Sequence, residues 1–186
     1  TLAAMCGHTR ILRLLLARGA DIELQDASDR TPIFWAVLNG EKQATKILIV
    51  AKCKLDGRDY AQLTLLHLAA GKGHDSILTL LIDSGCDVNA KNRHEFTPLH
   101  DAINVKHLDT ARILLEKGAD VNSTTSGGPT PLILASSAGW ADGVKLLLEY
   151  RADPMIRNEN GHTAIDMATT AGHKQIADLL EKATHR

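Results

Sequence analysis

Nine histidines and three cysteines are the residues of this 186-residue chain best suited to chemistry: imidazoles move protons or ligate metals, and thiols attack or pair. Their spacing argues against each of these uses. His67 and His100 are 33 residues apart, and each closes a tetrapeptide that opens on Thr. His8, His74, His107 and His173 share a second slot, while His94, His162 and His185 have no Cys or His partner at metal-ligand spacing. Cys53 and Cys86 occupy a slot that Ala20, Ala119 and Ala152 fill elsewhere, so both read as small buried residues. With Cys6 they form an odd, sparse set and no disulfide framework. Asp87, Asp120 and Asp153 repeat in the same way, as structural carboxylates do. Gly71-Lys72-Gly73 lacks the earlier Gly and the following Ser or Thr of a phosphate-binding loop. Ser126-Gly-Gly-Pro129 needs only to be a flexible turn. No nucleophile, base and orienting group stand in a recognised local arrangement. The sequence therefore predicts no catalytic residue, no metal site and no cofactor.

The elements behind this spacing follow from one period. Thr31, Thr64, Thr97, Thr130 and Thr163 recur every 33 residues, as expected of stacked helical units. Phe96-Thr-Pro-Leu-His100 is the best-formed copy: the Thr97 hydroxyl can cap a helix, and Pro98 at its first position loses no needed hydrogen bond. Leu99, Ala102 and Ile103 then share one face. A second helix is predicted from about Leu108 to Lys117, with Ala111, Ile113, Leu114 and Leu115 turned inward. Gly118 stops it by accepting the left-handed conformation. A polar stretch follows, Ala119 to Asn122 here and Cys86 to Asn89 one unit earlier. No unit has enough apolar surface to fold alone, so contacts between units must stabilise the array. Lys52 and Arg151 replace the stopping Gly, and Lys106 replaces the Gly of a second phase; a left-handed non-Gly residue costs on the order of 1–2 kcal/mol. Residues 52–63 also lose the Ala-Asp-Val-Asn pattern, which predicts a loop of normal length with an altered tip and the least stable interior junction.

With this period and these motifs the chain resembles the ankyrin repeat family over its whole length. The resemblance implies an all-α repeat solenoid, an ankyrin-like right-handed stack of helix-turn-helix units with β-hairpin fingers. It implies a single domain over 1–186, divided into a truncated first repeat 1–25, repeats 26–58, 59–91, 92–124 and 125–157, and a C-terminal cap repeat 158–186. Thr1 falls on the His position of the tetrapeptide, so further sequence is expected upstream. The resemblance also makes the periodic histidines framework residues that hydrogen-bond to backbone within and between repeats. Asn89 and Asn122, each following Asp-Val, match positions that an asparaginyl hydroxylase can modify in ankyrin-like repeats. The alternative is that each Asn stabilises its own turn.

Composition narrows the partner. Lys and Arg number 21 against 22 Asp and Glu, and a net charge of −1 argues against a polyanion or an anionic membrane. Aromatics are 3%, too few for a base-stacking platform, and the apolar runs fall far short of the roughly 20 residues of a membrane span. We expect no nucleic acid and no direct membrane insertion. The sparse cysteines and the lack of a secretory leader predict an intracellular protein, cytoplasmic or nuclear. By resemblance the chain is a non-catalytic protein-protein interaction scaffold, monomeric by itself, that binds a partner protein on a concave groove and on the finger tips. The alternative is a targeting or regulatory segment of a larger protein whose enzyme, effector, toxin or channel domain lies outside this sequence. Residues that vary between units mark the contact surface: Arg30, Trp35, Leu38, Tyr60, Leu63, Arg93, Phe96, Asp101 and Val105. Trp35, Tyr60 and Phe96, rimmed by Arg30, Arg58, Arg93 and Asp101, have hot-spot composition; filling gaps between units is their competing use. Phe34 and Trp140, in framework His slots, read as packing residues.

Overall fold

The computed structural model describes residues 1–184 and is all-helical. Helices alternate along the chain as pairs: α1 (Leu2–Met5) with α2 (Thr9–Ala17), α3 (Pro32–Leu38) with α4 (Lys42–Val50), and α5 (Leu65–Lys72) with α6 (Asp75–Asp83). Then come α7 (Pro98–Asn104) with α8 (Leu108–Glu116), α9 (Pro131–Ser137) with α10 (Ala141–Glu149), and α11 (Ala164–Thr170) with α12 (Lys174–Thr184). Each first helix packs on the first helices before and after it, and each second helix does the same in its own layer.

One column of residues sets the spacing of the first layer. Ala3, Ala36, Ala69, Ala102, Ala135 and Ala168 are all buried at the same register, and a methyl side chain lets helices approach closely. The corresponding second-layer column is Leu48, Leu81, Leu114, Leu147 and Leu180. First helices therefore approach one another more closely than second helices do.

The helix starts are built as the sequence predicts. Thr64 Oγ1 lies 2.7 Å from His67 Nδ1, and Thr97 Oγ1 lies 2.8 Å from His100 Nδ1. The same Nδ1 atoms accept from the Thr64 and Thr97 backbone amides, so His67 Nε2 carries the proton that it donates to Phe96 O at 2.8 Å, in the next unit. Burial disfavours the imidazolium and lowers the pKa of both rings, His100 to about 4. Where Phe34 replaces the histidine, the Thr31 hydroxyl is left without a partner. The ring of Phe34 is buried, as expected for packing. Lys52, Lys106 and Arg151 adopt the left-handed conformation that Gly takes in the other units, with φ of 63°, 59° and 63°.

The β-hairpin fingers expected from the resemblance are absent: among the described residues there is no strand and no hairpin. Side chains take the amides that a ladder would use. Asn92 Oδ1 accepts from His94 N and Phe96 N, and the backbone closes that tip with bonds from Asn92 N to Phe96 O at 3.0 Å and from Glu95 N to Asn92 O at 2.9 Å. Asp26, Asp59 and Asn158 organise their tips in the same way. Backbone to backbone, successive tips are joined by bonds such as Tyr60 N to Ser28 O and Ser126 N to His94 O, both 3.0 Å. The loops are stacked Asx turns. Residues 52–63 conform as well, with Asp59 N bonded to Leu63 O at 3.1 Å, so the tip is not altered there.

Candidate interaction surface

The residues proposed to contact a partner lie on loop tips and first helices, but the structure divides them by how far their side chains are already engaged. Trp35, on α3, is half-buried, and its Nε1 donates to Asp26 Oδ2 at 2.7 Å. The Arg30 guanidinium stacks over the same indole, 5.5 Å from the ring centre, and donates from Nη2 to Asp59 Oδ2 at 2.9 Å. Asp59 is 2% exposed while its Oδ1 holds the tip of the next loop. Arg30 and Trp35 thus join two successive loops into one rigid unit, a use that the sequence did not announce because neither Asp26 nor Asp59 stands out in type.

Tyr60 and Arg93 form a second pair, one loop further along. The ring of Tyr60 is 70% exposed. Arg93 stacks on it at 5.4 Å and also donates to Tyr60 O. Beside them Arg58 Nη1 donates to Lys91 O at 2.6 Å, and Lys91 Nζ donates to Thr124 O at 3.1 Å. Arg58 and Lys91 each reach the loop of the following unit and Arg93 reaches back to the preceding one, which stiffens this edge without burying it.

Phe96 is half-buried and its ring packs at 5.5 Å from the His100 ring of its own unit, while its backbone oxygen receives the His67 bond from the preceding unit. Leu38 and Leu63 are also half-buried against the core. Val105, at the C-terminal cap of α7, is 46% exposed. Asp101, one turn earlier on α7, is half-buried, and no hydrogen bond or ion pair among the described residues reaches its carboxylate. Desolvation alone pushes its pKa up to about 7.

Asn89 and Asn122 do not stabilise their own turns. Asp87 and Asp120 do that, accepting from Asn89 N and Asn122 N at 2.9 Å. The asparagine oxygens instead accept from the next loop, Asp120 N at 2.8 Å and Asp153 N at 2.9 Å. Glu23 makes the equivalent bond to Lys54 N. Sequence reasoning also missed the left-handed tip residues Asp29, Gln62 and Glu95. A signal was present, since they share the phase of Gly128 and Gly161.

His74 and His173 are framework groups, Cys53 is buried and Cys86 half-buried, and His185 lies outside the described residues. His74 Nε2 and His173 Nε2 lie 3.3 and 3.2 Å from Leu38 O and Ser137 O of the preceding units. No group of three His, Cys, Asp or Glu side chains that could hold a metal occurs among the described residues. No helix among them is long and apolar enough to cross a membrane. A family model for ankyrin repeats in three copies matches residues 1–92 and 59–125, and one for ankyrin repeats in many copies matches residues 119–168. No curated protein matches the chain.

Proposed function

Because the chain belongs to the ankyrin-repeat family, we propose that it is a non-catalytic scaffold that binds a partner protein along its first-helix face and loop tips. The observation that carries this reading is the Tyr60–Arg93 pair: a large aromatic ring held open to solvent, with its backbone and face already fixed by the guanidinium. A side chain ordered before binding loses little conformational entropy on association, and Tyr and Arg are frequent anchors. Tyr60, Arg93, Asp101 and Val105 are the contact residues we favour. Arg30, Trp35, Leu38, Leu63 and Phe96 support them from below and contribute their exposed edges. In this reading the repeats divide as 1–25, 26–58, 59–91, 92–124, 125–157 and 158–186. The array acts as a monomer in the cytoplasm or nucleus.

The test compares partner capture by the unaltered chain with capture by a Tyr60→Ala, Arg93→Ala, Val105→Arg variant whose thermal midpoint is unchanged. Loss of a retained protein supports the proposed surface, and equal retention overturns it. For Asn89 and Asn122 the assay is incubation with an asparaginyl hydroxylase: one added oxygen on either peptide supports modification, and none disposes of it.

A second reading, a segment of a longer protein, draws support from the outer face of α2. Ile11, Leu14 and Leu15 are exposed there, whereas their counterparts Ala44, Ile47 and Leu48 are buried by the preceding unit. A coding sequence upstream of Thr1 that specifies another unit of the same pattern supports this reading; its absence counts against it.

A further inference from the structure

An open groove of about 600 Å³ runs between α10 and α12, neighbours in the layer of second helices. Leu148, Pro154 and Leu179 form its apolar floor; they are half-buried, so part of each still meets solvent. Lys145, Arg151 and Lys182 stand around them, all exposed. Among the described residues Arg151 and Lys182 enter no ion pair, and Lys145 reaches only Asp142 on its own helix, at 3.6 Å. Exposed pairs of that kind are weak, so the ammonium is free to turn to a ligand. The lining carboxylate, Glu149, faces Arg112 at 3.7 Å. Arg151 holds its place at a left-handed position, φ 63°, that Gly19, Gly85 and Gly118 take in other units. Glycine closes a helix there without strain, whereas Arg151 keeps a cation at the mouth of the groove against its backbone preference.

We propose that this groove receives a short acidic segment of a partner protein, with an aliphatic or aromatic side chain seated on Leu148, Pro154 and Leu179 and Asp or Glu residues beside it reaching Lys145, Arg151 and Lys182. Each part follows from the lining. The apolar floor gains by losing its contact with water, and a concave apolar site with a few charged groups at its rim is the usual form of a ligand groove. Three cations select for negative charge and orient the segment, and the guanidinium offers a carboxylate two parallel hydrogen bonds. An anionic membrane fits less well. Asp142 on α10 and Asp178 and Glu181 on α12 are also exposed, so a broad negative surface would meet carboxylates together with the cations. A single segment approaches the cations alone. The groove belongs to the second-helix layer, and its use does not depend on the first-helix face.

The experiment selects random displayed peptides on the full chain and measures the recovered peptides against two variants, each checked for folding by thermal melting. Ala183 lines the groove near the end of α12 and is half-buried, so Ala183→Trp fills the groove without changing its charge. The second variant combines Lys145→Glu, Arg151→Gly and Lys182→Glu; all three positions are exposed, and glycine relieves the strain at 151. Peptides excluded by Ala183→Trp are expected to carry Asp or Glu beside an apolar residue. Their binding is expected to weaken about tenfold or more on the charge variant and to fall as salt is raised. If the excluded peptides show no acidic preference and bind the charge variant equally well, the proposal is overturned. It is overturned also if no recovered peptide is excluded by Ala183→Trp. Vesicles of phosphatidylcholine and phosphatidylserine provide the remaining comparison: sedimentation of the chain with them that Ala183→Trp abolishes, without any excluded peptide, would assign the groove to an anionic lipid instead.

Discussion

The indole of Trp140 lies over Gly143: a Cβ on that glycine would come within 2.1 Å of Cε3. In the units around Gly40, Gly73 and Gly139 the neighbouring rings belong to His74, His107 and His173, close enough to crowd any Cβ placed on those glycines. Lys106 carries a Cβ at that register, and the facing slot holds Trp140 in place of histidine. Lys106, Trp140 and Gly143 thus form one compensated packing solution.

Gly143→Ala is expected to destabilise the protein. In an ordinary helix interior the same change stabilises by roughly 1 kcal/mol. Here the added methyl overpacks a buried ring contact at about 1–3 kcal/mol. Adding Trp140→His should recover most of the loss, so thermal unfolding of the two single variants and the double variant reads the coupling directly. A stabilised Gly143→Ala would show that the ring is not held there.

Asp59 joins a loop tip to Arg30 from a 2% exposed position. Asp59→Ala removes a buried ion-pair partner and the acceptor of two loop amides, and is expected to cost about 3–5 kcal/mol in urea unfolding. Asp59→Asn keeps the turn, as Asn92 and Asn158 do in their own loops, and should cost distinctly less.

The half-buried Asp101 and the buried His100 give opposing pH dependences. The Asp101 pKa is raised from its ordinary 3.8 to about 7, so its folded form holds the proton more tightly than the unfolded chain does. Its contribution to stability is complete below the unfolded pKa and is lost as pH rises through about 7. His100, lowered from 6.5 to about 4, contributes stability above 6.5 that is lost as pH falls toward 4. The unaltered protein should therefore show a flattened profile between these limits. Asp101→Asn should be the more stable protein at pH 8, by an amount that shrinks toward pH 4 with a slope of at most about 1.4 kcal/mol per pH unit. A difference independent of pH would mean that Asp101 is solvated.

Cys6 is exposed, whereas burial pushes the Cys53 thiol up to about 12 and the Cys86 thiol up to about 11. The thiolate is the reactive form. At pH 8 iodoacetamide should modify Cys6 in the native protein and reach the other two only on unfolding, as counted by intact mass.

The 33-residue period by itself determined the helix pairs, the threonines at their starts, the inward-facing leucines and the left-handed Lys52, Lys106 and Arg151. The helices follow from backbone chemistry and periodicity within one unit, and the left-handed positions from comparing the same phase across copies. The tertiary structure decided the rest. The loops stack as turns and not as hairpins because Asp59, Asn92 and their counterparts take the amides that strands would pair. Trp35 is tied to Asp26 and covered by Arg30, while Tyr60 stands open under Arg93. Asn89 bonds to Asp120 in the next unit, and the Asp101 carboxylate has no hydrogen bond or ion pair among the described residues. The turns and the Trp35–Asp26 bond form within one loop and its helix, while the Arg30–Asp59, Arg93–Tyr60 and Asn89–Asp120 contacts depend on which side chain the neighbouring unit places opposite and exist only after the units have stacked.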